Sequence, residues 1–339
     1  MNRTRVGIAG FGVIGQRLAD GVARQDDMEL IGVADVAPTL PVRALADRGM
    51  PYRLFAAVPG TEDALTAAGI PVSGSFDDLL GSVDVMLDAA PGGIGAKNKV
   101  KYVEYGLKAV FQGGEKGEIA DVFFHGYANY EKGVGQNYLK LTSCNTTGLI
   151  RAVDALDKAV GVEKVAITIV RRIADPGDTH RGVVDSLIME PIPNHQAVDL
   201  MEIMPQVKAT GLLVHTPITH GHIITIVATP RKGISPDEAI DVFRAHPRIK
   251  AVRIADGFDT NTSLFNYARF LGNPRGDMYE VGLFEETVGL SGDDLMFAIN
   301  IPQESVTIPE TIDGVRAAMP MQTEQAEAVG LTNRYLGMG

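Results

Sequence analysis

The chain has little sulfur chemistry to spare: 339 residues contain one cysteine, no tryptophan and only 6% aromatic residues. A single cysteine cannot build an internal disulfide framework, so the core must hold the fold by itself. There is no long run of positive charge either. The longest basic stretch noted is the pair Arg171-Arg172, and the formal charge is -11, which argues against non-specific nucleic-acid binding. No apolar stretch reaches the length of a membrane span, and Met1-Asn2-Arg3-Thr4-Arg5 leads into a strand with no signal-peptide pattern. A cytoplasmic setting is therefore expected. No repeats, low-complexity segments or metal sites are expected either. With 45% hydrophobic and 22% charged residues the composition is that of a globular protein, and the length suits two domains.

What the chain does have is a polar stretch around its one thiol, Ser143-Cys144-Asn145-Thr146-Thr147-Gly148. Before it, Tyr138-Leu139-Lys140-Leu141-Thr142 alternates like a strand; after it, Leu149, Ala152, Val153, Leu156 and Ala159 recur at helical spacing. Cys144 is thus predicted at a strand-to-helix handover. The unpaired N–H groups and positive dipole end of a helix start stabilise a thiolate and lower its pKa toward neutrality, and the same N–H groups can hold an oxyanion. A lone cysteine also packs commonly in cores. The polar flanks Ser143, Asn145, Thr146 and Thr147 favour the nucleophile.

Near the start, Val6-Gly7-Ile8-Ala9 reads as a strand and is followed by Gly10-Phe11-Gly12-Val13-Ile14-Gly15 and a helical run through Leu18, Ala19, Val22 and Ala23. A second strand, Glu29 to Asp35, completes a βαβ dinucleotide fingerprint. Gly10 suits the tight turn, Gly12 a close pyrophosphate, and Gly15 close helix packing. Asp35 would accept the ribose hydroxyls and repel a 2′-phosphate, so NAD is expected over NADP; as a common turn starter it would also cap Val36-Ala37-Pro38. Further on, Val83–Asp88 ends in the turn Ala89-Ala90-Pro91-Gly92-Gly93, and Ala109-Val110-Phe111-Gln112 leads into Gly113-Gly114-Glu115. Both are strand ends where open α/β sheets place ligands.

Beyond the Cys144 helix the texture changes. Lys164–Arg172, Ile223–Thr229 and Leu295–Ile301 read as strands, Asp237–Ala245 as a helix, and Ile173 to about Leu212 as a loop-rich insertion containing Asn194-His195-Gln196. The final segment, Thr311 to about Ala328, has helical spacing. The expected fold is α/β: a doubly wound Rossmann domain over residues 1–143, completed by about 304–339 with a C-terminal helix docking on it, and an α+β catalytic domain over 144–303 with a mixed, largely antiparallel sheet.

The order and spacing of Phe111-Gln112-Gly113-Gly114-Glu115, Ser143-Cys144-Asn145-Thr146-Thr147, Ile169-Val170-Arg171-Arg172 and Gln303-Glu304-Ser305 resemble the archaeal-type (type II) glyceraldehyde-3-phosphate dehydrogenases over nearly the whole chain. The resemblance implies that Cys144 attacks the aldehyde. It implies that His220, first of the pair His220-Gly221-His222, is the catalytic base, that Arg172 and Gln303 lie at the nicotinamide end, and that Gly114 and Val13-Ile14 hold pyrophosphate and ribose. Strand alternation would put His220 and His222 on one face, within reach of the thiol. In the substrate loop the family's His-His pair is replaced here by His195-Gln196. Many archaeal members carry lysine at the position of Asp35. The implied reaction is oxidation of glyceraldehyde 3-phosphate with inorganic phosphate to 1,3-bisphosphoglycerate through a thiohemiacetal and a thioester, in a homotetramer. Ser143, Asn145, Thr146, Arg171, His195 and Gln196 are the expected substrate and phosphate ligands. A dehydrogenase of another phosphorylated or acidic aldehyde, of semialdehyde type, is the alternative within enzymes. A non-catalytic NAD-binding sensor is the alternative outside them.

Overall fold

A computed structural model describes residues 3–112, 114–173 and 187–338. They divide into two compact units, one of residues up to Leu141 together with Ile308–Gly337, the other of Thr142–Thr307. Gly113, and residues 174–186 of the insertion, lie outside the described residues.

The first unit holds β1 (Thr4–Ala9), β2 (Met28–Asp35), β3 (Leu54–Ala56), β4 (Val85–Asp88), β5 (Lys108–Phe111), β6 (Val122–Phe124) and β7 (Tyr138–Leu141). They form one parallel sheet in the order β3-β2-β1-β4-β5-β7-β6. The central strands read as continuous apolar runs because helices cover both faces of such a sheet; Val6, Ile8, Val85, Met86 and Leu87 have no exposed surface. The order reverses between β1 and β4, which opens a crevice at their carboxyl ends. There the helix Val13–Val22 starts directly from the glycine loop. A Cβ on Gly15 would stand 1.9 Å from the Gly10 carbonyl oxygen, so only glycine lets this helix approach.

At the carboxyl terminus two helices, Ile308–Ala318 and Gln325–Leu336, replace the single one expected. Pro320 lies just past the first; it lacks an N–H and disfavours helical backbone before it. Both helices belong to the first unit. The buried Arg316 ties them in, pairing with Asp27 at 2.7 Å and donating to Gln25 at 2.8 Å and Thr332 at 2.6 Å.

The second unit holds β8 (Val162–Arg172), β9 (Ile188–Met189), β10 (Lys208–Thr216), β11 (His222–Pro230), β12 (Ile249–Val252), β13 (Val281–Phe284), β14 (Gly289–Ser291) and β15 (Asp294–Ile301). The order is β12-β13-β15-β11-β8-β10-β9, with β14 on β15. The pairs β8–β10 and β12–β13 are parallel and the rest antiparallel, so the sheet is mixed. Its strands alternate as half-buried strands must: Val165, Ile167, Ile169, Ile224, Ile226, Phe297 and Ile299 face the helices, while Ala166, Thr225 and Met296 face outward. The insertion is more regular than expected. Its described part carries the helix His195–Ile203, β9, and β10, within which Leu212 falls. Lys208-Ala209-Thr210-Gly211-Leu212 has no apolar alternation to announce a strand; its pairing with β8 makes it one. Among the described residues no helix is long and apolar enough to cross a membrane.

Candidate active site

The helix Cys144–Val160 starts at the thiol. Ser143 caps it, its Oγ accepting the Thr146 N–H at 3.3 Å. Deeper along the helix, the buried guanidinium of Arg151 donates to the carbonyls of Tyr279 at 2.6 Å and Val306 at 2.7 Å, which anchors the helix from behind. Cys144 itself is half-buried. Burial pushes its pKa above the ordinary thiol value, while the charges of Arg171 and Arg172 and then the Asn145 N–H pull it back. The expected shift toward neutrality is therefore corrected. Removing the sulfur from water costs the thiolate more than the helix start and the two arginines return.

The histidine beside the sulfur is His222, with its Nε2 3.7 Å from Sγ. His220, expected there, instead has its Nδ1 2.9 Å from Thr219 Oγ1 and its ring edge-on to Phe265, with centroids 5.1 Å apart. Strand alternation does not extend to it because β11 begins only at His222. Between the two, Gly221 has φ +69°, the left-handed region, where a Cβ would lie 2.6 Å from the Asn261 carbonyl oxygen. This turn is held on three sides. The Gly221 N–H donates to Gln303 Oε1 at 2.8 Å, Asn261 Nδ2 donates to the His220 carbonyl, and Asn300 Nδ2 donates to the Asn261 carbonyl at 2.8 Å. Gln303 thus meets the histidine turn, and its Nε2 has no hydrogen-bond partner among the described residues.

His222 is 2% exposed, and its Nδ1 accepts the backbone N–H of Arg172 at 3.1 Å. Burial pushes its pKa well below the ordinary histidine value, and Arg172, Arg171 and His215 add to the shift. The imidazole is neutral at neutral pH.

The expected phosphate ligands separate into two groups. Arg171 is half-exposed, with Glu190 3.8 Å away, and Glu190 also holds His215 Nε2 at 2.6 Å. Asn145 is buried, its Oδ1 without a hydrogen-bond partner among the described residues. The Thr146 hydroxyl, in contrast, is buried and shared between Ser143 at 2.9 Å and Asp199 at 3.2 Å, so it is committed to the helix start. That leaves it no surface to offer a ligand. Gln196 is likewise 1% exposed and approaches the exposed His195, with their Nε2 atoms 2.6 Å apart. It orients His195 from within the protein. Sequence reasoning missed Asn261, Asn300, Asp199, Glu190 and His215. Asn261 lies 41 residues from the carbonyl that it holds, and no local pattern marks it.

In the first unit the crevice residues fit a dinucleotide. Among the described residues other than its chain neighbours, nothing lies within 4 Å of where a Cβ on Gly12 would stand, so the backbone is open to a ligand, and Val13 and Ile14 follow at that opening. Pro91 and Gly114 are exposed on the two turns that follow β4 and β5, and a Cβ on Gly92 would meet the Gly114 carbonyl oxygen at 2.7 Å. Asp35 Oδ2 accepts the Phe11 N–H at 2.8 Å and Oδ1 accepts that of Val36 at 2.7 Å, which joins the end of β2 to the glycine loop. Its carboxylate serves the turn and still has lone pairs to offer.

Residues 143–264 match the family model described as the glyceraldehyde 3-phosphate dehydrogenase, C-terminal domain. The chain is 34% identical over 336 residues to a glyceraldehyde-3-phosphate dehydrogenase of Methanobacterium bryantii, covering 98% of this chain and 99% of that protein. It is 35% identical over 342 residues to one of Archaeoglobus fulgidus, covering 100% and 99%. The chain belongs to the archaeal-type glyceraldehyde-3-phosphate dehydrogenase family. Among solved structures, aspartate semialdehyde dehydrogenase II of Vibrio cholerae, complexed with ASA, superposes with a TM-score of 0.67 at 13% identity, covering 94% of this chain and 98% of that one. That likeness establishes the two-domain dehydrogenase fold. As a glyceraldehyde-3-phosphate dehydrogenase family member, the chain is an oxidoreductase of the nicotinamide-dependent kind.

Proposed function

We propose that this chain oxidises glyceraldehyde 3-phosphate with inorganic phosphate to 1,3-bisphosphoglycerate, reversibly and with NAD preferred over NADP. The observation that carries the reading is the thiol of Cys144 at a helix start, 3.7 Å from the His222 imidazole and within the field of Arg171 and Arg172. The sulfur, once deprotonated, adds to the aldehyde carbon to give a thiohemiacetal. The nicotinamide, when bound, supplies the hydride acceptor. Loss of hydride, with the adduct's hydroxyl proton given up to water, turns the thiohemiacetal into a thioester, and a phosphate oxygen then attacks the thioester carbon and expels the sulfur, restoring Cys144. Arg171, Arg172 and His195 are the side chains offered to the phosphates, and the backbone turns of Gly10, Gly12, Val13, Ile14, Gly15, Pro91 and Gly114 are offered to the cofactor.

The NAD preference rests on Asp35, whose carboxylate at the end of β2 would face a 2′-phosphate with a like charge. A homotetramer is part of the proposal. The outward face of the mixed sheet, with Leu212 49% and Met296 43% exposed, supports it, and light scattering tests it. The decisive experiment for the reaction is a panel of phosphorylated and unphosphorylated aldehydes assayed with NAD and NADP, each with and without phosphate. Glyceraldehyde 3-phosphate should have the highest kcat/KM and turnover should need phosphate. A higher value for an acidic, unphosphorylated aldehyde would move the chain to the semialdehyde class.

A further inference from the structure

At one end of the mixed sheet four polar side chains stand in a row across the neighbouring strands β11, β8, β10 and β9. In the register of β8 with β10, Ile169 pairs with Leu213 and Arg171 with His215; in that of β8 with β11, Ile169 pairs with Ile224, two positions from His222. Ile169, Leu213 and Ile224 are buried beneath the helices His195–Ile203 and Cys144–Val160. The strand period of two therefore puts Arg171, His215 and His222 on that same face, the one that carries the Cys144 helix. The fourth member comes from the end of β9. Met189 pairs with Val214, and the next N–H, that of Glu190, donates to the Leu213 carbonyl at 3.2 Å, so Glu190 falls on this face as well.

The row sets two donors against one carboxylate. His215 Nε2 lies 2.6 Å from Glu190 Oε1, and a carboxylate only accepts, so the ring donates through Nε2. The Arg171 guanidinium stands 3.8 Å from the same oxygen, beyond hydrogen-bond length, which leaves its N–H fork to a ligand. The two donors are held in place from the main chain, where Thr216 Oγ1 donates to the Arg171 carbonyl at 3.2 Å and joins the ends of β10 and β8. Glu190 is free to leave, because its side chain is 33% exposed and has water to turn to.

We propose that Glu190 is the resident anion of a phosphate site: its carboxylate occupies the Arg171–His215 pair in the free enzyme and gives way to a phosphate dianion, either that of the aldehyde or inorganic phosphate. The proposal rests on the phosphate-dependent reaction of Cys144 proposed above, and adds His215 as a ligand and Glu190 as a competitor that sets specificity. A phosphate presents the same kind of acceptor oxygens to the arginine fork as a carboxylate does, with a second charge besides. A substrate carboxylate would only replace Glu190 by its equal, so the exchange favours phosphate over carboxylate. Charge in this row is felt beside the thiol: after burial, Arg172, Arg171 and His215 are what lower the pKa of His222. Asp199, on the helix above β10, is turned to the Thr146 hydroxyl at 3.2 Å.

Two measurements test this. The first is steady-state kinetics at low ionic strength, with glyceraldehyde 3-phosphate and inorganic phosphate varied in turn. Glu190→Gln keeps an acceptor for His215 and removes the charge. It should lower KM about tenfold for the anion that displaces Glu190, the effect of one charge on a dianion about 6 Å away in water, and the arm that moves names the source of the phosphate. Arg171→Gln and His215→Phe should raise the same constant. Constants unmoved by Glu190→Gln in both arms overturn the proposal, and so does an equal change in KM for the nicotinamide cofactor, which marks a general structural effect. The second measurement needs no turnover. Inorganic phosphate titrated into the cofactor-free Cys144→Ser enzyme labelled with [15N]histidine should shift the His215 NMR signals, assigned with His215→Phe, and should saturate at lower concentration in Glu190→Gln. A His215 response in an enzyme that does not oxidise glyceraldehyde 3-phosphate would support the site and sink the dehydrogenase reading. Turnover of that aldehyde with no His215 response to phosphate would sink the site alone.

Discussion

Replacing His220 and His222 by alanine, one at a time, separates the resemblance-based assignment of the catalytic histidine from the structural one. His222 stands 3.7 Å from the sulfur, so His222→Ala removes the imidazole at the reacting centre, a loss of about 2.7–4 kcal/mol in transition-state stabilisation. His220→Ala removes the edge-on contact with Phe265, worth about 0.5–1.5 kcal/mol, and a hydrogen bond to Thr219 at the surface. The carbonyl that Asn261 holds is main chain and survives the substitution. The expected result is a melting temperature lower by about 2–4 °C for each kcal/mol lost, with acylation near the wild-type rate. Single-turnover acylation by stopped flow and thermal melting, on the same preparations, read the two effects apart. A His220→Ala enzyme slowed by two orders of magnitude with an unchanged melting temperature would refute the reasoning, because it would show that the turn at Gly221 rearranges to bring His220 to the thiol.

Cys144→Ser should bind cofactor normally, by fluorescence titration, and lose turnover by several orders of magnitude, since a serine alkoxide is not accessible near neutral pH; more than a few per cent residual activity would sink the covalent mechanism. Asp35→Lys should move the NADP-to-NAD ratio of kcat/KM toward NADP by about 1–3 kcal/mol, from loss of a repulsion and gain of a phosphate partner. Equal use of both cofactors by the wild type would leave Asp35 a turn residue only. The depressed pKa of the buried His222 also couples folding to pH: below the unfolded value of about 6.5 the unfolded chain takes up a proton that the native imidazole refuses, so stability falls as the pH drops toward the folded pKa. Urea titrations should show that this part of the pH dependence, present in the wild type, is missing from His222→Gln.

The local features of this chain were readable because they depend on neighbours in sequence. The glycine loop from Gly10 to Gly15, with a strand before it and a helix after it, needs only steric rules to be recognised, and Cys144 at the helix start follows from the switch of apolar period from two to helical spacing. The tertiary structure decided what depends on distant groups. Which histidine meets the thiol is set by a left-handed glycine that Gln303, Asn261 and Asn300 hold from outside its strand. The pKa of the thiol goes up and not down because desolvation is a property of the folded surroundings, which a helix-start pattern does not contain. Thr146 and Gln196 are polar residues in a promising stretch, and only the packing of the helix His195–Ile203 against the Cys144 helix turns their side chains inward to Asp199 and His195. A hydrogen-bonding side chain can serve a ligand or its own fold, and the sequence lists the side chain without its partner; that choice is made when the chain brings residues 146 and 199 together.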